Sequence, residues 1–136
     1  MGLTVLDAGV LIAVLDSGDV HHKAALRAVR AAREAGETLV LPASAYAEML
    51  VSPFRRGPEA VALANALVDE LPARIEPATR EIATRAASLR AAHGRGLRLP
   101  DALVIATAMA VGAARVITTD ARGPEMGIDV TVVAGA

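Results

Sequence analysis

The sequence predicts an α/β domain, with a central parallel sheet of four to five strands flanked by helices. Three observations lead there. Short apolar runs carrying β-branched residues alternate with longer stretches of helical periodicity, the pattern of strand–helix–strand units. Gly36, Pro42, Pro72, Pro77 and Gly94 punctuate the chain between the runs. Acids recur at the junctions: Asp7, Glu48, Asp101 and Asp120 each stand where a strand hands over to a helix or loop, or in a helix's first turns. Ligands of open α/β sheets gather outside the carboxyl ends of the strands, so acids from distant parts of the chain can meet there.

The elements follow in order. Leu3–Leu6 is an apolar run ending at Asp7 and reads as the first strand, with a helix over Gly9–Leu15 behind it. Asp16–Asp19 punctuates the chain before an amphipathic helix over Val20–Ala35, closed by Gly36, whose Arg27, Arg30, Arg33 and Glu34 form a solvated face. Thr38–Leu41 is the second strand, stopped by Pro42. Ala43–Val51 is a helix carrying Glu48, and Pro53 is expected to end it. Glu59–Leu71 is a helix broken by Pro72, and Arg74–Glu76 a brief strand before Pro77. A helix over Thr79–His93 closes at Gly94. Gly94–Pro100 is a loop, and Pro100 opens an apolar helix with Asp101 in its first turn. Val116–Thr119 is a strand with Asp120 at its tip, and Ile128–Val133 is the last strand.

With 136 residues, the chain fits one domain, residues 1–136, able to bury a core without disulfides. The absence of cysteine excludes thiolate metal sites and thiol nucleophiles, and it fits a reducing, cytoplasmic setting. Met1–Asp7 has no basic region ahead of its apolar residues and does not read as a signal peptide. The longest apolar run, Ala102–Ala114, is too short for a bilayer, so no membrane partner is expected. Tyr46 and Phe54 are the only aromatics, which leaves few rings for stacking bases. A net charge of −1 gives no general attraction to nucleic acid, so a polyanion must be met by local Arg residues and bound cations. Lys23 is the only lysine.

Converging carboxylates call for a hard cation, and Mg²⁺ or Mn²⁺ is the natural occupant of an all-oxygen site. Each acid also has a plainer reading. Asp7 and Asp120 fit loop or helix-capping positions, and Asp101 fits a first-turn acid on the helix dipole. Glu48 sits among Ala45, Tyr46, Ala47, Met49 and Leu50, where an acid must be exposed or paired. Four acids, one per junction, favour a site. Rival chemistries lack their parts. Asp7 is followed by Ala8 and Gly9, without the second acid and nearby lysine of an aspartyl-phosphate protein. No Gly-x-Gly-x-x-Gly or Walker loop follows the first strand, and no nucleophile elbow is present. His21 and His22 are adjacent and diverge on a helix start, so they read as surface or substrate-side residues, while His93 suits a helix C-terminus.

Four segments carry a resemblance: Val5–Ala13 followed by Asp19–His22, Leu41–Glu48, Leu99–Ala108, and Ile117–Asp120. In order and spacing the chain resembles, over its whole length, the PIN-domain nucleases, and among them the VapC-type toxins of bacterial toxin–antitoxin pairs. The resemblance implies a three-layer α/β/α fold, a Mg²⁺ or Mn²⁺ site and endoribonuclease activity on RNA such as tRNA or rRNA. It maps the catalytic, metal-site acids to Asp7, Glu48, Asp101 and Asp120; in the expected mechanism Asp7 and Asp101 are direct metal ligands, Asp120 a direct or water-mediated one, and Glu48 a water-positioning group or general base. Many relatives place another acid and an aromatic just after the fourth acid, whereas here Asp120 runs into Ala121-Arg122-Gly123-Pro124. Ser44 and Thr118 either orient waters and carboxylates or are ordinary capping and strand hydroxyls.

The implied chemistry is in-line attack on a phosphodiester by a metal-activated water, leaving 5′-phosphate and 3′-hydroxyl ends. Arg55, Arg56, Arg95 and Arg98 flank the expected cleft and are candidates for holding RNA phosphates, or are solvated surface residues. The resemblance also implies a homodimer and a cognate VapB-like antitoxin that packs on the chain and can place an Arg among the acids. A PIN-like protein without activity, serving as a protein- or RNA-binding module, is the alternative, and metal affinity discriminates between the two.

Overall fold

The computed structural model describes residues 2–120, 123–124 and 126–134. Five strands form one parallel sheet in the order β3-β2-β1-β4-β5, with β1 at Leu3–Leu6, β2 at Thr38–Pro42, β3 at Arg74–Glu76, β4 at Arg115–Thr118 and β5 at Asp129–Val132. Among the described residues the α-helices are α1 (Ala8–Leu15), α2 (His22–Glu34), α3 (Ala43–Arg56), α4 (Pro58–Glu70), α5 (Arg80–His93) and α6 (Leu99–Val111). The chain steps outward from β1 to β2 to β3, then returns across the sheet to β4 on the other side of β1. Right-handed crossovers in opposite directions put helices on both faces, giving three α/β/α layers. They also make the β1–β4 boundary a switch point, where a crevice opens at the carboxyl edge.

The core is aliphatic, as the scarcity of aromatics requires. Val5, Leu6, Leu39, Val40, Leu41, Val116 and Ile117 are buried in the three inner strands, against Val10, Leu11 and Val14 of α1 and Val104 and Ile105 of α6. A second cluster, Ile82, Ala86, Leu97, Ala102 and Ala106, joins α5 to α6. The small residues allow close helix approach, and the outer strands take little part. Ile75 of β3 and Val130 and Val132 of β5 stay exposed.

Several boundaries differ from expectation, and one difference matters. Pro53 does not end the third helix, which continues to Arg56. Proline cannot donate to the Met49 carbonyl, yet Ala45, Met49 and Pro53 form a buried stripe at four-residue spacing that holds the segment on the core. The helix stops at Gly57, whose φ of 121° only glycine adopts easily and which turns the chain directly into α4. Arg55 and Arg56 are therefore helical, not part of a following loop. The expected loop over Gly94–Pro100 contains a 3₁₀ turn at Gly94–Gly96, and α6 starts at Leu99, one residue before Pro100. Strand β4 ends at Thr118, which leaves Asp120 two residues beyond it.

At the amino edge of the sheet, opposite the acids, lies a polar clasp. Arg115 reaches Glu37 through Nε and Nη2, both at 3.1 Å, and gives Nη1 to Thr131 Oγ1 at 3.1 Å, while the buried Thr4 hydroxyl also donates to Glu37. Thr4 chiefly, and then Arg115, hold the Glu37 carboxyl below its ordinary value. A lowered carboxyl stabilises the fold above its unfolded pKa and loses that contribution as pH falls through the folded value. Glu37→Gln should therefore cost about 1.5–3 kcal/mol near neutral pH, as expected for charged hydrogen bonds. The melting-temperature gap to wild type should close on acidification below pH 4.5, and a gap independent of pH would dismiss the clasp.

Candidate active site

Asp7 ends β1 and caps α1, so one residue serves strand, helix and site. Its backbone N–H donates to the Ile117 carbonyl at 3.1 Å, tying the β1 tip to β4. Its Oδ1 accepts the Val10 N–H at 3.0 Å, a helix N-cap. Its Oδ2 accepts the Thr118 hydroxyl. The same Thr118 oxygen accepts the Asp120 backbone N–H at 3.0 Å. Thr118 is 7% exposed and thus bridges the two strand tips from within the fold. Burial pushes the Asp7 carboxyl above its ordinary value; the hydrogen bonds from Thr118 and Val10 oppose the shift, and the negative charge of Asp101 adds to it.

Asp101 lies in the first turn of α6, which begins at the carboxyl edge because helices of such units run antiparallel to the strands. Its Oδ2 is 3.7 Å from Arg98 Nε, an exposed pair. Glu48 occupies the second turn of α3 and is exposed on that helix. Its carboxyl is nevertheless raised, first by partial burial and then by the charge of Asp101, with Arg98 opposing and Asp7 adding a little. The charge of Asp101 therefore reaches both Asp7 and Glu48 across the crevice. Asp7, Asp101, Thr118 and Asp120 line one cavity of about 390 Å³, together with apolar residues that include Leu97, Ile105, Val116, Met126 and Val130.

Other predicted residues are placed differently. Ser44 is half-buried in the first turn of α3, and no side-chain hydrogen bond to it exists among the described residues. Arg55 and Arg56 are exposed on the last turn of α3. Seven residues bring Arg55 back to the Glu48 face, roughly 10 Å along the axis. Arg95 is exposed in the 3₁₀ turn, and Arg98 alone of the four contacts an acid of the crevice. His21 pairs with Asp19 at 3.3 Å, and His22 Nδ1–H donates to the Ala13 carbonyl at 2.7 Å, so both brace the α1–α2 turn. Of the divergent stretch after Asp120, Ala121 and Arg122 lie outside the described residues.

The donor set suits a hard divalent cation: all oxygen, of one sign, with two carboxyls raised by burial and by the charge of Asp101. As they stand, no three acidic or histidine side chains among the described residues are gathered closely enough to chelate an ion. Asp7 engages Thr118 and Asp101 engages Arg98. The latter contact is exposed, and such pairs contribute only about 0–1 kcal/mol, so it yields readily to a stronger partner.

A parallel five-stranded α/β/α sandwich with carboxylates at the β1–β4 crevice defines a class of acidic-site domains. The model of the PIN domain family matches residues 4–128, and the chain belongs to that family. Solved structures agree on the fold. A toxin–antitoxin complex from Klebsiella pneumoniae is 22% identical at a TM-score of 0.77, covering 98% of this chain and 99% of that one. The DNA-bound VapBC of Salmonella typhimurium is 16% identical at 0.71, covering 98% and 100%. Mycobacterium tuberculosis VapC20, a sarcin–ricin loop cleaving toxin, is 21% identical at 0.67, covering 83% and 86%. No curated protein matches the sequence significantly.

Proposed function

We propose that this PIN domain is a Mg²⁺- or Mn²⁺-dependent endoribonuclease and the toxin of a toxin–antitoxin pair. The observation that carries the reading is the convergence of Asp7, Asp101, Thr118 and Asp120 on one cavity at the switch point of the sheet. Asp7, Asp101 and Asp120 would hold the cation. When bound, it supplies charge neutralisation at the scissile phosphate and a more acidic water. Thr118 fixes the Asp7 carboxylate by donating to Oδ2. Glu48, whose raised carboxyl moves towards the pKa of a useful base, accepts the proton of the attacking water. Arg98, beside Asp101 and largely exposed, meets an incoming phosphate, with Arg95 near it in sequence and Arg55 and Arg56 on the α3 side.

The likeness to toxin–antitoxin complexes supports an antitoxin partner, and exposed apolar side chains at Val51, Phe54 and Leu63 offer surface for it or for a second copy in a homodimer. No helix among the described residues is long and apolar enough to cross a membrane, and we place the protein in the cytoplasm with its RNA. Water as nucleophile leaves no cyclic phosphate, and the resemblance to PIN-domain nucleases implies that it leaves 5′-phosphate and 3′-hydroxyl ends. End-group analysis of cleaved tRNA or rRNA should find them, and 2′,3′-cyclic phosphate ends would overturn the mechanism.

A further inference from the structure

Gly9 lies in the first turn of α1, two residues after Asp7, and is not among the glycines with positive φ. Its backbone thus suits any residue, and alanine is the better helix former. Space is what the position requires. A Cβ at Gly9 would lie 2.3 Å from Thr119 Oγ1, with Asp7 Oδ1 at 3.4 Å and Thr119 Cβ at 3.6 Å. Ordinary contact begins near 3.4 Å, so the hydroxyl would have to retreat by about 1 Å. Thr119 stands between Thr118, which donates to Asp7, and Asp120, whose N–H is held by Thr118. Its χ1 is stiffened by β-branching.

We propose that Gly9 is a positioning residue: the missing side chain admits Thr119 against α1, and this contact sets the separation of the two acid-bearing tips, Asp7 and Thr118–Asp120. Its effect on cleavage rests on the ribonuclease reading above, whereas its effect on the tips does not.

The test compares wild type, Gly9→Ala, Thr119→Ala and the double variant. Two quantities are read: single-turnover RNA cleavage in Mg²⁺, and the backbone amide resonances of Asp7, Thr118 and Asp120 in metal-free protein. A displacement of about 1 Å at a reacting centre lowers rate by about 100-fold. Gly9→Ala should show a loss of that order with RNA affinity unchanged, and its three amides should shift. Removing the Thr119 hydroxyl leaves only ordinary contacts, Asp7 Oδ1 at 3.4 Å and Thr119 Cβ at 3.6 Å, so the double variant should return to the level of Thr119→Ala alone in both readouts. If Gly9→Ala does not fold, recovery of folding in the double variant carries the same meaning. Cleavage by Gly9→Ala at the wild-type rate, as when Thr119 simply turns its hydroxyl aside, would overturn the proposal, as would a double variant no better than Gly9→Ala. Should wild type cut no RNA, the ribonuclease reading fails and the amides decide: shifts that revert in the double variant support the contact, and their absence overturns it.

Discussion

Asp7→Asn is expected to lower RNA cleavage by roughly 1000-fold or more, equivalent to about 4 kcal/mol of transition-state stabilisation, while the protein stays folded. The carboxylate sits where β1, α1 and β4 meet and is tied to all three. Asparagine keeps one acceptor for the Val10 N–H but loses the charge that a cation needs. Stability should move the other way. Burial raises the Asp7 carboxyl, so its ionised form opposes folding at neutral pH, and that penalty fades as pH falls and the group is protonated. In EDTA the variant should therefore melt no lower than wild type at neutral pH, with any advantage shrinking on acidification. A variant that is inactive and also strongly destabilised would mark Asp7 as a structural cap instead.

The second large effect is on wild-type stability. Burial and the negative charge of Asp101 raise the Asp7 and Glu48 carboxyls, which strains the metal-free fold, and a cation bound only by the folded state relieves that strain. At ten times its dissociation constant, Mg²⁺ would add about 1.4 kcal/mol, a melting shift of roughly 4–6 °C for a domain of this size. Asp7→Asn and Asp101→Asn should each show much less. Equal shifts in all three proteins would mean that the ion binds elsewhere.

The fold was legible to the extent that it is local. The run Leu3–Leu6 ahead of an acid, Pro42 as the last residue of β2, Pro77 just after β3, and the Gly94 stop after α5 locate most elements to within a residue or two. Pro53 misleads because a buried stripe one helical face wide outweighs a lost hydrogen bond, and burial is not a local property. The acids could be chosen from their places at junctions, but their relations could not. The Thr118 hydroxyl meets Asp7 across 111 residues, and Arg115 meets Glu37 across 78. Both contacts depend on β4 returning beside β1, which periodicity does not encode. The same holds for Gly9: no sequence signal says which side chain will pack against the first turn of α1.

Cleavage of end-labelled tRNA and rRNA by the purified protein tests most directly whether the acidic crevice is a metal-dependent ribonuclease site. Discrete cuts in Mg²⁺ or Mn²⁺ that vanish in EDTA and return on re-addition of metal are the predicted result. Cuts that persist unchanged in EDTA would contradict the account, and so would a folded, Mg²⁺-binding protein that leaves every RNA intact.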